Sequence, residues 1–349
     1  MTRRPGPLAI RLGVLDQTPV PDGSTAADAV GETLALARAV ERLGYHRYWL
    51  SEHHDTPSLA GTAPEVLVAA VAAATATIRV GSGGVLLPYY SPLKVAEVFR
   101  MLNALFPGRI DLGIGRAAGT GPAAEAALLA SGGASGDKYF ANHLADLMTF
   151  LGGGFPADDD HPYAGVRAMP DGSGAPSVWL LGSSGQSSAA AAAFGLAFAF
   201  AHFIKPEFGP QIVDGYRRRF RSQEGGRAVS EALVAVAVVC AETDAEAQRQ
   251  ASATDLWRLG PEGSRRRPIL SPEQIDVYPW TEPDRARAAE GRARMVVGAP
   301  DRVRARLVAL AEDYGTDELM IVTVCHDPRA RLRSYELLAE VFDLPGRSG

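Results

Sequence analysis

Short apolar runs alternate along this chain with longer stretches of helical spacing. Residues 8–15 form the first run, and 48–50, 78–81, 109–114, 177–181, 196–201, 233–240 and 318–323 form seven more. Runs of that length, rich in Val, Ile, Leu and aromatics, read as strands. Over 27–43, Leu34, Leu36, Ala37, Val40 and Leu43 recur near helical spacing, and Gly44 follows as a terminating glycine. Helices are also predicted over 64–76 and 92–105, each opened by a proline. Further helices are predicted over 139–151, 187–194, 206–221, 245–259, 301–314 and 329–342. Eight strands alternating with helices predict a parallel sheet. The count suits a closed (β/α)8 TIM barrel, with a doubly wound open sheet as the alternative. Two stretches exceed ordinary connections, about 117–175 and about 242–295. They are expected to be insertions after strands four and seven of one domain spanning 1–349. The part at 260–292, rich in Pro, Arg and Glu, is expected to be loop-bearing and to act as a mobile lid.

Hydrophobic residues make up 46% of the 349 positions, enough for a large core. The net charge of −5 favours neither nucleic acid nor an anionic membrane. Lys94, Lys138 and Lys205 are the only lysines beside abundant arginine, a compositional bias rather than a functional signal. Cys240 and Cys325 lie in apolar runs and are expected to be buried free thiols in a reducing compartment. No signal-like segment and no run near the roughly 18 apolar residues of a membrane span is visible. A cytoplasmic chain is expected.

In such a barrel, chemistry collects at the carboxyl ends of the strands. Those ends carry Asp16-Gln17-Thr18, Glu52-His53-His54, Gly81-Ser82-Gly83-Gly84, Gly115-Arg116, Gly182-Ser183-Ser184-Gly185-Gln186 and His202. Their repetition says more than any one of them. A histidine pair alone reads as local hydrogen bonding. Neighbours on an extended segment point apart, and no H-x-H or H-E-x-x-H is present, so no metal site is expected. The small-residue turn at 182–186 opens a helix, where free N–H groups make an anion site or serine simply caps. Arg116 adds a fixed charge for a phosphate. The glycines at 83 and 84 suggest a bulge or a close backbone approach to a flat ligand. Gly113 to Ala118 matches G-x-G-x-x-A, but Gly119 to Pro122 cannot open a helix at once, so a dinucleotide fold is not expected.

Several segments together carry a resemblance. They are G-Y-H-R-Y-W-L-S-E-H-H (44–54), R-V-G-S-G-G-V-L-L-P (79–88), S-P-L-K-V-A-E (91–97), P-G-R-I-D-L-G-I-G-R (107–116), W-L-L-G-S-S-G (179–185), D-E-L-M-I-V-T (317–323) and R-L-R-S-Y-E-L-L (331–338). Over nearly its whole length the chain resembles the bacterial luciferase-like family of flavin-dependent oxidoreductases, in particular its single-chain monooxygenases. The resemblance implies a (β/α)8 barrel that binds FMN, or a deazaflavin in related branches. It implies that His53 takes the place of the active-site histidine and His54 that of its neighbour, the two candidate catalytic residues. It implies that Gly83 and Gly84 press on the flavin ring, often through a non-proline cis peptide. Gly115, Arg116, Ser183, Ser184, Gly185 and Gln186 are the other implied cofactor contacts, with Arg116 and 183–186 at the phosphate. Gly115 stands where luciferase has a reactive cysteine, so light emission is not implied. Ala118, Gly121 and Phe203 also depart from the common pattern, which bears on the substrate pocket.

The expected activity is oxygenation, by hydroxylation or epoxidation, of an organic substrate with reduced FMN and O2 through a peroxyflavin. His53, with an ordinary pKa near 6.5, would act as acid or base. With no nicotinamide fingerprint, an NAD(P)H-dependent flavin reductase is the expected supplier. The stretches 86–90 and 194–203 would suit a large flat or aliphatic molecule, such as an aromatic natural-product intermediate. A homodimer through 64–76 and 92–105 is implied. Competing readings are a deazaflavin-dependent dehydrogenase, a non-catalytic flavin-binding relative and a metal-dependent hydrolase.

Overall fold

A computed structural model describes residues 9–116, 121–129, 137–158, 160–222, 227–259 and 268–346. Leu8, Ala118 and the 260–267 part of the expected lid lie outside them. Eight parallel strands form a closed ring: β1 (Arg11–Asp16), β2 (Arg47–Leu50), β3 (Arg79–Leu86), β4 (Ile110–Gly115), β5 (Ser177–Gly182), β6 (Ala197–Ala201), β7 (Ala232–Cys240) and β9 (Glu318–Val322). Each pairs with the next, β6 pairs with β7, and β9 lies between β7 and β1. An open doubly wound sheet would have two free edges, so this closure excludes it. A ninth strand, β8 (Met295–Gly298), was not predicted. It pairs with β7 from Ala237 onward, past the last residue of that strand paired with β6, Ala235.

Most helices follow from their sequences. In α1 (Ala26–Arg42), Thr25 and Asp28 form a reciprocal capping box, and Gly44 leaves the helix at φ 89°. Prolines open α2 (Pro64–Ala74) and α3 (Pro92–Leu105). After β4 come α4 (Pro122–Leu128) and α5 (Asp137–Leu151); α6 (Gly185–Ala193) and α7 (Gly209–Arg219) follow β5 and β6. After β7 come α8 (Asp244–Trp257), α9 (Pro272–Asp276) and α10 (Glu282–Arg292), and α11 (Pro300–Tyr314) and α12 (Pro328–Val341) close the chain. Described residues of the expected loop at 260–292 therefore include two helices. Both glycines of the G-x-G-x-x-A match, Gly113 and Gly115, lie in β4 and not in a nucleotide turn.

The strands are apolar on both faces, as parallel strands covered by helices must be. One set of faces, including Tyr48, Leu50, Phe198 and Phe200, packs with the helices. The other set, including Leu15, Trp49, Trp179, Ala197, Ala199, Leu233, Ala235 and Met320, fills the barrel. Within 194–203, the stretch expected to suit a large flat or aliphatic molecule, the residues of β6 divide between these two sets. Phe198 and Phe200 are fully buried in the helical layer, and Ala197 and Ala199 face inward. Leu87 likewise is core, within the short turn η1 (Leu87–Tyr89).

The amino-terminal end of the barrel is closed by buried charge. Arg47 bonds Asp111 at 2.7 Å and also Glu318, and its guanidinium lies 4.7 Å from the Trp179 ring centre. Asp111 further accepts from Trp49 Nε1 at 2.9 Å and from Arg79. Among the described residues no helix is long and apolar enough to cross a membrane.

Candidate active site

The extended backbone of β2 continues past its last ladder residue. The Ser51 N–H donates to the Asp16 carbonyl at 3.0 Å, and the His53 N–H to the Gly61 carbonyl at 2.8 Å. Side chains two apart therefore share a side. Ser51 Oγ and His53 Nδ1 meet at 3.2 Å, on the side of the inward-facing Trp49. Glu52 Oε1 and His54 Nε2 meet at 2.7 Å, on the side of the outward-facing Tyr48 and Leu50. The adjacent histidines are thus parted, with His53 turned to the barrel mouth and His54 to its outer wall.

Glu52 was not singled out in sequence as a site residue of its own. It is 3% exposed and takes two more bonds, from the Leu86 N–H at 2.8 Å and the Tyr90 hydroxyl at 2.6 Å. Burial and the bond to Glu52 push the Tyr90 phenol pKa up, so it stays a donor. The spacing of two between Glu52 and His54 was a readable signal. Tyr90 had none, because 38 positions separate it from Glu52.

On the next strand, the register of β3 against β4 shifts between Ser82 and Val85. Gly83 and Gly84 occupy that irregularity, joined by a cis peptide. A Cβ on Gly83 would lie 2.5 Å from Leu15 Cδ1, and one on Gly84 2.7 Å from the Gly113 carbonyl oxygen. A side chain at Gly84 would strike β4 backbone and one at Gly83 would have to displace Leu15, so the segment presents bare backbone. Gly115 ends β4 opposite Leu86, where a Cβ would stand 3.3 Å from Leu86 Cδ2.

Arg116 follows, and its Nη1 donates to Gln186 Oε1 at 2.6 Å, joining the β4 exit to the start of α6. Ser184 caps α6 in a capping box with Ser187. Its hydroxyl is engaged there, at 3.3 Å from the Ser187 N–H, so Ser184 shapes the turn. The helix leaves the Gly185 and Gln186 N–H groups unpaired internally, and a Cβ on Gly185 would meet nothing within 4 Å. The turn is open to an anion, and half-buried Ser183 borders it. A guanidinium, a helix N-terminus and a serine suit a phosphate. Flat backbone one strand away suits a planar ring. The residues present fit a flavin mononucleotide.

His202 does not join this group. Its Nδ1 lies 2.9 Å from the Tyr314 hydroxyl on α11, outside the mouth. Among the described residues no three His, Cys, Asp or Glu side chains stand together as a metal site. Part of the stretch expected to act as a lid, and the helix end just before it, are held to the loops beyond β1 and β2 in this structure. Trp257 Nε1 donates to Ser58 Oγ at 3.0 Å, and Ile269, fully buried, exchanges backbone bonds with Val20 and Asp22. The segment is therefore docked over the β1 and β2 exits.

Comparison with known proteins bears on the family and the fold. Residues 10–318 match the sequence profile of the luciferase-like monooxygenases. The N-acetyl-S-alkylcysteine monooxygenase of Bacillus subtilis (strain 168) is 35% identical over 95% of this chain and 98% of its own. The crystal structure of apo-MsnO8 is 42% identical, with a TM-score of 0.86 over 97% of this chain and all of that one. The oxygenating constituent of 3,6-diketocamphane monooxygenase from Pseudomonas putida, solved with FMN, shares the fold at 20% identity and a TM-score of 0.67, covering 95% of this chain and 97% of that one. With a family profile over most of its length and a relative 35% identical over 95% of it, the chain belongs to the luciferase-like monooxygenase family.

Proposed function

We propose that the protein is an FMN-dependent monooxygenase that uses O2 to oxygenate a small organic substrate. The observation that supports this is the sequence of three adjacent strand exits. β3 offers the bare Gly83–Gly84 backbone, β4 the Arg116 guanidinium, and β5 the open N-terminus of α6. Reduced FMN supplies the electrons and the atom at which O2 is activated. Arg116 and the Gly185 and Gln186 N–H groups hold its phosphate, with Ser183 beside them and Gly115 at the crossing. Gly83 and Gly84 seat its ring. His53, held at Nδ1 by Ser51, moves a proton at the mouth, while His54 supports the site from behind. Apolar residues such as Leu15, Ala199 and Val322 exclude water.

The reduced flavin comes from a separate NAD(P)H-dependent reductase in the cytoplasm, a reading supported by Gly113 and Gly115, the glycines of the nucleotide-like motif, lying in β4. The chain pairs as a homodimer through α2 and α3, where Val66, Met101 and Leu105 are more than half exposed. The apolar lining of the barrel is in keeping with a substrate that is an alkyl or aromatic natural-product intermediate.

The test is anaerobic titration with reduced FMN and, separately, a reduced deazaflavin, followed by O2 and candidate substrates. Saturable FMN binding and an oxygenated product support the reading. Binding of the deazaflavin alone, or oxidation without oxygen incorporation, overturns it. General acid–base catalysis is worth about 10²–10⁴-fold, so His53→Ala is expected to lose that much product formation with FMN affinity retained. Unchanged turnover would remove His53 from the chemistry.

A further inference from the structure

The outer face of the β2 exit carries a network that the proposed chemistry does not use. Glu52 is buried there, and its two oxygens collect three donors from separate places. His54 comes from its own strand exit. The Leu86 N–H comes from a point two residues beyond Gly84. The Tyr90 hydroxyl comes from just past η1. One carboxylate therefore joins the β2 exit to both ends of the turn that follows the glycine segment. Bonds to an ionised acceptor are stronger than neutral ones, and burial raises the cost of leaving any of them unmade.

We infer that Glu52 is a positioning residue for the flavin platform. Through Leu86 and Tyr90 it fixes Gly83–Gly84 relative to the β2 exit, and so relative to His53 on the opposite face. His54 completes the carboxylate's bonding and orients no reacting atom. The inference rests on the proposed flavin reading only for what the platform carries.

Three variants decide it. Glu52→Ala removes every bond. Glu52→Gln keeps an acceptor for the Leu86 N–H and offers N–H groups to the other partners. Tyr90→Phe removes one donor and leaves the carboxylate. In the flavin-free protein, Leu86 amide hydrogen exchange is expected to quicken about tenfold or more in Glu52→Ala, the equivalent of a lost hydrogen bond. It is expected to stay near wild type in Glu52→Gln. In the loaded protein, the visible circular dichroism of bound FMN shifts and its Kd rises about tenfold in Glu52→Ala. Glu52→Gln restores both, and Tyr90→Phe shifts the spectrum in the same direction. Wild-type binding, exchange and spectra in Glu52→Ala overturn the inference and leave the flavin reading standing. Failure of the wild type to bind FMN overturns the flavin reading, and the Leu86 exchange then decides the role of Glu52 alone. If Glu52→Ala does not fold, an unchanged flavin spectrum in Tyr90→Phe together with unchanged Leu86 exchange overturns it.

Discussion

Asp111 shows how much one buried group can hold at the barrel floor. It accepts from Arg47, Arg79 and Trp49, and it is fully buried. Asp111→Ala leaves Arg47 with Glu318 alone and leaves the Trp49 N–H unpaired. Breaking a buried pair costs about 3–5 kcal/mol. The expected outcome is a lower urea midpoint at unchanged m-value, with a smaller fall for Asp111→Asn, which keeps an acceptor for the indole. An unchanged midpoint would show that the floor contributes nothing to stability. At the same scale, burial pushes both the Cys240 and the Cys325 thiols up to about 12. Neither is expected to react with a thiol reagent at pH 8 until the protein is unfolded.

Elements differ in how far local sequence determines them, and the segment after β7 shows why. α8 has a threonine cap and two acidic residues in its first turn, and its position was legible to within a residue or two. α9 has five residues and β8 four, too short for periodicity to declare them. What fixes them is contact over distance: Ile269 on Val20, Gln274 on Asp22, and β8 on the free length of β7. The same limit governs β6. Parallel strands are apolar on both faces, so the alternation of Ala and Phe did not say which side faced the mouth. The histidine pair was legible because period two parts neighbours on any extended segment, whereas Glu52 took its meaning from Leu86 and Tyr90, far along the chain. If the 268–278 segment is docked as its bonds indicate, Ile269→Ala should cost about 2–5 kcal/mol. Hydrogen exchange should then rise over 268–278 before it rises in the barrel strands. Uniform exchange across both would show that the segment has no separate opening.

At the scale of the whole molecule, groups that make the fold sensitive to acid lie at both ends of the barrel. His46 enters β2 at the amino-terminal end, and burial, with Arg47 and Arg11 beside it, lowers its pKa from 6.5 to about 4. Between those values the unfolded chain binds a proton that the folded chain refuses. Stability is therefore complete above pH 6.5 and falls as the pH drops toward 4. Asp16 acts lower on the scale. Burial alone would raise its pKa, but Arg331, Tyr48, Thr18 and Thr33 outweigh burial and hold it below 3.8. Its contribution is present above that value and is lost only as the pH falls through the depressed one. His46→Gln should thus flatten the fall in melting temperature between pH 6.5 and 4 and leave the steeper loss at lower pH intact. An unchanged profile would mean that the folded histidine accepts its proton normally.

Assembly belongs to this scale too. An exposed Val66 on α2 and exposed Met101 and Leu105 on α3 offer an apolar face on neighbouring helices. Large apolar side chains exposed on two neighbouring helices are positions that a partner could cover. A two-fold pair would set the face against itself. Met101→Asp with Leu105→Asp should turn a dimer into a monomer in analytical ultracentrifugation without lowering FMN affinity, because both helices leave the three strand exits untouched. A wild-type monomer at micromolar concentration would end the dimer reading. A monomeric variant that no longer binds FMN would show instead that the partner helps to build the site.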